Sequence, residues 1–400
     1  MPMAAGPRRF LAASPVHLAT WGLLTAVGGF AFNADLWLFM TGFVGFTLLG
    51  FAWHLFPALS RKRLKWVPDG TGYWVLGEVA VMAGLLGMSG LPGIPWAPVL
   101  GLLGTGAWLV VVTIFGGALV VSSRGRSLTA GPPERPADRT AVHLFSLAWP
   151  FGGVAAAFWG ISLVWPGPSF GLWIAGVHLF LLGQVALSIF AVSLRMLPRF
   201  VGANAPRLVA QALGTFAISG AVSVPAALLL LPPGWTTLVA VPGLLEAMAA
   251  LLFVVELVYL ALRATTPRGA HAVYVASASC LCVGGAIGLF MVSSSDYGVV
   301  QAHVWTNLLG FVGLTVLGMW FSMIAPFQFV SHAWTLRILG VASALLLASV
   351  LVVDVSTGLM LPRGGLWTEA AGGIVLVLGS LWLAGSLPVL YPRLVSHSPL

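Results

Sequence analysis

Charge is what this sequence has least of. Only 7% of its 400 residues are Asp, Glu, Lys or Arg, and 59% are hydrophobic. Soluble domains carry roughly a quarter charged residues, so a chain this apolar cannot cover itself in water and a soluble globular protein is excluded. Acids are scarcer than bases, ten against eighteen. Cysteine is nearly absent: Cys280 and Cys282 stand one residue apart, which suits neither a CxxC redox pair nor a zinc site and reads as small apolar filling. There is no Gly-rich phosphate loop, no serine or cysteine triad, no pair of metal carboxylates, and no linker long enough to separate domains.

What fills the chain instead is apolar runs of a length to cross a bilayer, about 20 residues each. Twelve spans are expected, near 12–32, 36–59, 73–91, 97–121, 142–165, 170–194, 208–231, 236–261, 271–293, 298–325, 337–355 and 367–390. The fold class is therefore an all-α polytopic membrane protein, without the alternating pattern of a membrane β-barrel. The first span is long and follows Arg8 and Arg9 with no small-residue cleavage site, so it is expected to be retained. With both ends on one side, seventeen of the eighteen cations share that side and only Arg363 lies opposite. That asymmetry places both termini in the cytoplasm, with the chain in the cell inner membrane. The basic excess then reads as topology and contact with anionic lipid of the bilayer, not as a nucleic-acid partner. Tryptophans gather at expected span ends, among them Trp66, Trp74, Trp96, Trp149, Trp165, Trp235 and Trp367, as an interfacial belt would.

The chain also repeats itself. Gly42-Phe43-Val44-Gly45-Phe46-Thr47-Leu48-Leu49-Gly50 returns 268 residues later as Gly310-Phe311-Val312-Gly313-Leu314-Thr315-Val316-Leu317-Gly318, seven of nine positions identical. Each copy opens an apolar stretch that ends in proline, at Pro57 and Pro326, and a weaker relative runs from His178 to Pro198. A single membrane domain of three four-helix repeats, about 10–122, 140–263 and 268–392, accounts for this. His17, His143 and His271 then occupy matching inner ends, where interfacial hydrogen bonding explains them. The glycines of the second helices would let helices, or a flat cofactor, come close to the backbone.

Few residues could carry chemistry. His178 lies eight residues inside the outer end of the sixth span and His303 five inside that of the tenth. Buried imidazoles are costly in a membrane and mark metal or haem ligation, with a histidine bonded to a neighbouring helix as the alternative. Aligning Gly183 with Gly310 leaves the two histidines two residues out of register. His54, three residues before Pro57, is either an interfacial residue or a metal ligand on the inner side. Arg195 and Arg199 could hold carboxylates, haem propionates included, or serve as the inner anchor of their helix. Glu246 and Glu256 share the eighth span about 80° apart and are candidate proton relays, Glu246 the deeper. Met319 and Met323 could be thioether ligands, though core filling suffices.

Twelve helices in three fours, with histidines in the outer halves of the sixth and tenth, resemble the haem–copper oxidase subunit I superfamily. The stretch from His303 to Thr315 looks like its tenth-helix region, and Ser193-Leu194-Arg195-Met196-Leu197-Pro198-Arg199-Phe200, with the length near 400, is similar to the NnrS-type family. That family has haem and copper and is linked to nitric oxide stress. The resemblance implies haem b, and copper, held through His178 and His303, with nitric oxide or redox handling, or cofactor support for a respiratory membrane partner. The departures are specific. Asp35 stands where His303 stands in the other copy, Gln301 and Trp305 flank His303 where oxidases have a second histidine, and the span 208–231 has none. A complete terminal oxidase is therefore not expected. A proton-coupled transporter using Glu246 and Glu256, and a cofactor-free assembly subunit, remain open.

Overall fold

The computed structural model describes residues 5–27, 31–60, 64, 70–91, 94–123, 135–165, 169–231, 236–264, 269–294, 297–319 and 341. The eleventh and twelfth expected spans lie outside the described residues, as do Met323, Pro326, His332, Asp354, His397 and the side chains of Pro57 and His271. Regular structure among the described residues is helical throughout. Hydrocarbon offers no partner for a backbone N–H or C=O, so an apolar chain satisfies both within each segment by coiling.

Ten helices follow in order. They are α1 (Ala5–Val27), α2 (32–60), α3 (Gly70–Met88), α4 (Ala97–Ser123), α5 (Asp138–Val164), α6 (169–201), α7 (Arg207–Leu230), α8 (Ala240–Arg263), α9 (Gly269–Ser294) and α10 (300–319). They match the first ten expected spans, and nine of them are apolar and long enough to cross a membrane. The sixth span runs further than expected, to Val201, because Met196-Leu197-Pro198-Arg199 stays helical until Gly202 takes φ +71° and ends it.

Burial divides the helices into two kinds. The most apolar windows of α2, α6 and α10 are 94%, 83% and 78% buried, against 17–44% for the other six spans. The second helix of each expected four is thus an inner helix, and the rest are its rim. The three meet at Thr47, Ser188 and Val316, among others, around a residual space of only about 20 Å³. That is room for one water and no more.

Each inner helix also carries a π-helical segment of eight residues: Leu38–Gly45, Leu179–Ala186 and Thr306–Gly313. Such wide turns insert an extra residue and commonly mark functional positions. Acceptors 268 residues apart receive the same contacts, from serines 263 apart. Ser14 Oγ donates to Phe43 O at 3.1 Å and lies 2.5 Å from Thr47 Oγ1, while Ser277 Oγ donates to Phe311 O at 2.7 Å and lies 2.5 Å from Thr315 Oγ1.

The tryptophans divide as well. Trp96 and Trp165 are exposed at helix ends, as an interfacial belt requires. Trp149, expected there too, is buried in the middle of α5 and packs on Phe115 at 4.5 Å between ring centres. With Trp37, Trp108 and Trp159 it belongs to the core.

Candidate functional site

α6, α7, α8, α9 and α10 pack in succession, and the ring they form is closed across its interior by Phe190. That side chain meets Phe253 of α8 at 4.7 Å and Phe311 of α10 at 6.4 Å, centre to centre. His178 is the last α-helical residue before the π segment of α6, and His303 stands three residues before that of α10. Both lie on the side of Phe190 remote from Arg195. The π segments pair Gly183 with Gly310, so His178 falls level with Trp305 and the two histidines keep their two-residue offset.

Both imidazoles are half-buried, and each is held the same way. His178 Nδ1 donates to the Ile174 carbonyl at 2.9 Å, one turn back on its own helix. His303 Nδ1 donates to the Gly284 carbonyl of α9 at 2.8 Å. A carbonyl only accepts, so Nδ1 carries the proton in both rings and the lone pair is left on Nε2. Neither Nε2 has a hydrogen bond among the described residues. His303 lies in a notch of α9 made by two glycines: a Cβ on Gly288 would stand 2.6 Å from its Cε1, and one on Gly284 would strike Asn307. Asn307 in turn donates to the His303 carbonyl at 2.8 Å, bracing the turn below the ring.

Glu246 precedes Phe253 by two turns and so shares its inward face of α8. It rests on Gly220 of α7, where a Cβ would stand 2.5 Å from its Cγ, and its Oε1 has no hydrogen-bond partner among the described residues. Glu256 is one turn past Phe253, 1% exposed, with both carboxylate oxygens unbonded among the described residues. The two acids stand on either side of the middle of α8. Among the described residues no three His, Cys, Asp or Glu side chains converge as a metal-binding group.

Arg195 and Arg199 are elsewhere. Seventeen residues separate Arg195 from His178, about 25 Å along the helix, farther than one porphyrin held by the histidine reaches. Both arginines turn instead to Asp138 at the start of α5. Arg199 donates from Nη1 and Nη2 to its two oxygens at 2.9 and 2.7 Å, and Arg195 Nη1 lies 3.5 Å from Oδ2. The backbone N–H of Arg135 adds a bond at 3.0 Å, and Arg135 Nη1 donates to the carbonyls of Pro198 and Ala203, each at 2.5 Å. One buried carboxylate and three arginines therefore pin the end of α6. His54 is half-buried toward the matching end of α2. Measured from the π segments, it sits nineteen residues beyond the level of His303, about 28 Å, and shares no site with it.

Sequence reading missed several polar residues. Asp138 stands among the charges between the fourth and fifth expected spans, and nothing in the sequence pairs it with Arg195 and Arg199. His17 lies in mid-helix, not at an inner end, and its Nε2 stands 3.2 Å from Glu78 Oε2 of α3. Its place against Gly42 is taken by Phe151 against the matching Gly183, while His143 is exposed, so the recurring histidines are not equivalent. Gln184, fully buried in the π segment of α6, presses on Gly152 with neither amide atom bonded among the described residues. Its signal was the one amide in an otherwise apolar run.

No protein-family model matches the chain, and no curated protein matches it. Among solved structures, a haem–copper terminal oxidase dimer studied by electron cryo-microscopy has a chain similar to this one, with TM-score 0.64. The match covers 98% of this chain and 82% of that chain at 13% identity, a likeness of fold across nearly the whole molecule.

Proposed function

We propose that this membrane protein binds haem b, with copper as a second metal, inside the ring formed by α6 to α10, through His303 and His178. The observation that carries the reading is the shared set of both imidazoles. Each has Nδ1 tied to a backbone carbonyl and Nε2 left unbonded, which is how ligating histidines are held in the right tautomer. The donor chemistry fits: neutral imidazole is the usual axial ligand of b-type haem, and the glycine notch of α9 fixes the plane of His303. His303 would hold the haem iron. His178 would be a second ligand or hold copper. Haem would supply a one-electron centre able to bind a diatomic gas, which reaches an apolar site through lipid. The task that follows is nitric oxide or redox handling, or cofactor support for a respiratory partner, in the inner membrane with the arginine-rich end cytoplasmic. Arg195 and Arg199 have no part in it beyond holding α6.

Glu246, two turns before Phe253 on α8, would exchange protons with the site, with Glu256 one turn past Phe253 as the next acceptor. In this reading the chain is built of three four-helix repeats, and the histidines stand on two of the three inner helices.

The test is an optical spectrum and metal analysis of the purified protein. A reduced b-type spectrum that His303→Ala removes supports the proposal, and His178→Ala should shift or remove it. No Soret band and no bound copper, in protein made with haem and copper supplied, would sink it. One observation favours a second reading: side chains fill the common axis of the inner helices down to about 20 Å³, as a cofactor-free assembly subunit would require. That reading expects a stable protein partner on purification and no chromophore.

A further inference from the structure

A groove of about 470 Å³ opens between α4 and α5, in the half of both helices nearer Asp138. Its floor is Phe56, Val112 and Trp149, all buried. Its depth comes from missing side chains. No atom lies within 4 Å of where a Cβ on Gly117 would stand, and a Cβ on Gly153 would meet only Leu109, at 3.9 Å. Most of the surface is hydrocarbon, so water gains little by filling it, and the solvent of this face is lipid. One wall has a charged head. Arg139, exposed at the first turn of α5, stands on the same helical stripe as Val142, Ser146, Pro150 and Gly153 of the groove. From Arg139 to Gly153 is fourteen residues, about 21 Å, a run from headgroup level to past the middle of a hydrocarbon core about 30 Å thick.

We propose that this groove is a binding site for one anionic phospholipid, with an acyl chain between α4 and α5 and the phosphate on Arg139. A guanidinium recognises phosphate as a planar fork of donors, while the glycine-lined trough takes a flexible apolar chain without a polar contact. The site is independent of the His178–His303 region, which lies on other helices.

The test uses the full chain, stripped of lipid in detergent and then titrated with phosphatidylglycerol or phosphatidylcholine of identical chains, with adducts counted by native mass spectrometry. Phosphatidylglycerol should be retained over phosphatidylcholine by about fivefold, the preference one cation near a membrane surface gives. Arg139→Gln should abolish the preference while leaving a bound lipid. Gly117→Phe should remove one adduct of either lipid, since its Cβ would meet no atom within 4 Å and its ring would enter the trough. Gly153→Leu fills the opposite wall and should do the same, so that a folding defect in one variant does not decide the matter. Equal retention of both lipids by the native chain, or adduct counts unchanged in both filling variants, overturns the proposal.

Discussion

At the scale of single residues the dominant polar feature is Asp138, 2% exposed in its side chain and facing Arg199 and Arg195, which are 20% and 6% exposed. Removing one member of a buried ion pair leaves the other charge without compensation and costs about 3–5 kcal/mol. Asp138→Asn should therefore lower stability by roughly 3 kcal/mol, the low end because Arg199 is partly solvated. Unfolding in detergent followed by tryptophan fluorescence reads it directly. Arg199→Gln alone should cost less, since Arg195 and the Arg135 amide still serve the carboxylate, and the double variant should fall short of the sum. Additive losses would mean that the pair does not act as one unit. None of this was legible in the sequence. Arg195 and Arg199 were visible as donors suited to a carboxylate, but their partner lies 61 residues from Arg199 on another helix, and nothing in a linear pattern says which of ten acids crosses that gap. The two histidines were legible, because a titratable ring in the apolar half of a span is conspicuous by its cost. Their common tethering through Nδ1 was not, since both partners are backbone carbonyls and carry no sequence signal.

At the scale of elements, hydropathy located all ten described helices, because a span needs only length and apolarity. It could not place their ends where polar residues remain helical, as in α6 past Met196, nor find the π segments, which are a backbone geometry without a residue signature. The glycines of the inner helices were expected to admit close approach, and Gly152 shows what that demands from the rim side. A Cβ there would run into the Gln184 amide, in a part of α6 already widened by its π turn. Overpacking of this kind costs about 1–3 kcal/mol, so Gly152→Ala should destabilise by that amount. Gln184→Ala in the same background should recover most of the loss, because it frees the space and removes a buried amide that has no partner among the described residues. Thermal unfolding of the two single variants and the double decides it, and a neutral Gly152→Ala would show that α5 and α6 do not pack as closely as described here.

At the scale of the whole molecule, the three inner helices share a filled axis. About 20 Å³ remains there, so a cofactor held by His178 and His303 would sit off it. The axis is not ideally filled. Ser188 is 2% exposed there, its hydroxyl has no partner among the described residues, and it borders the residual space. Ser188→Val adds a methyl group where there is room and removes an unsatisfied hydroxyl, so it should raise stability by about 1 kcal/mol. A loss of stability instead would mean that a water bound on the axis is bonded by Ser188 and is driven out by the substitution. The same variant tests where a bound chromophore would sit. Ser188 is ten residues from His178, about 15 Å along α6, so a chromophore held by the histidines should keep its band position and intensity while the unfolding midpoint rises. A spectrum that moves with the packing of the axis would instead place the chromophore among the three inner helices, against the ring of α6 to α10.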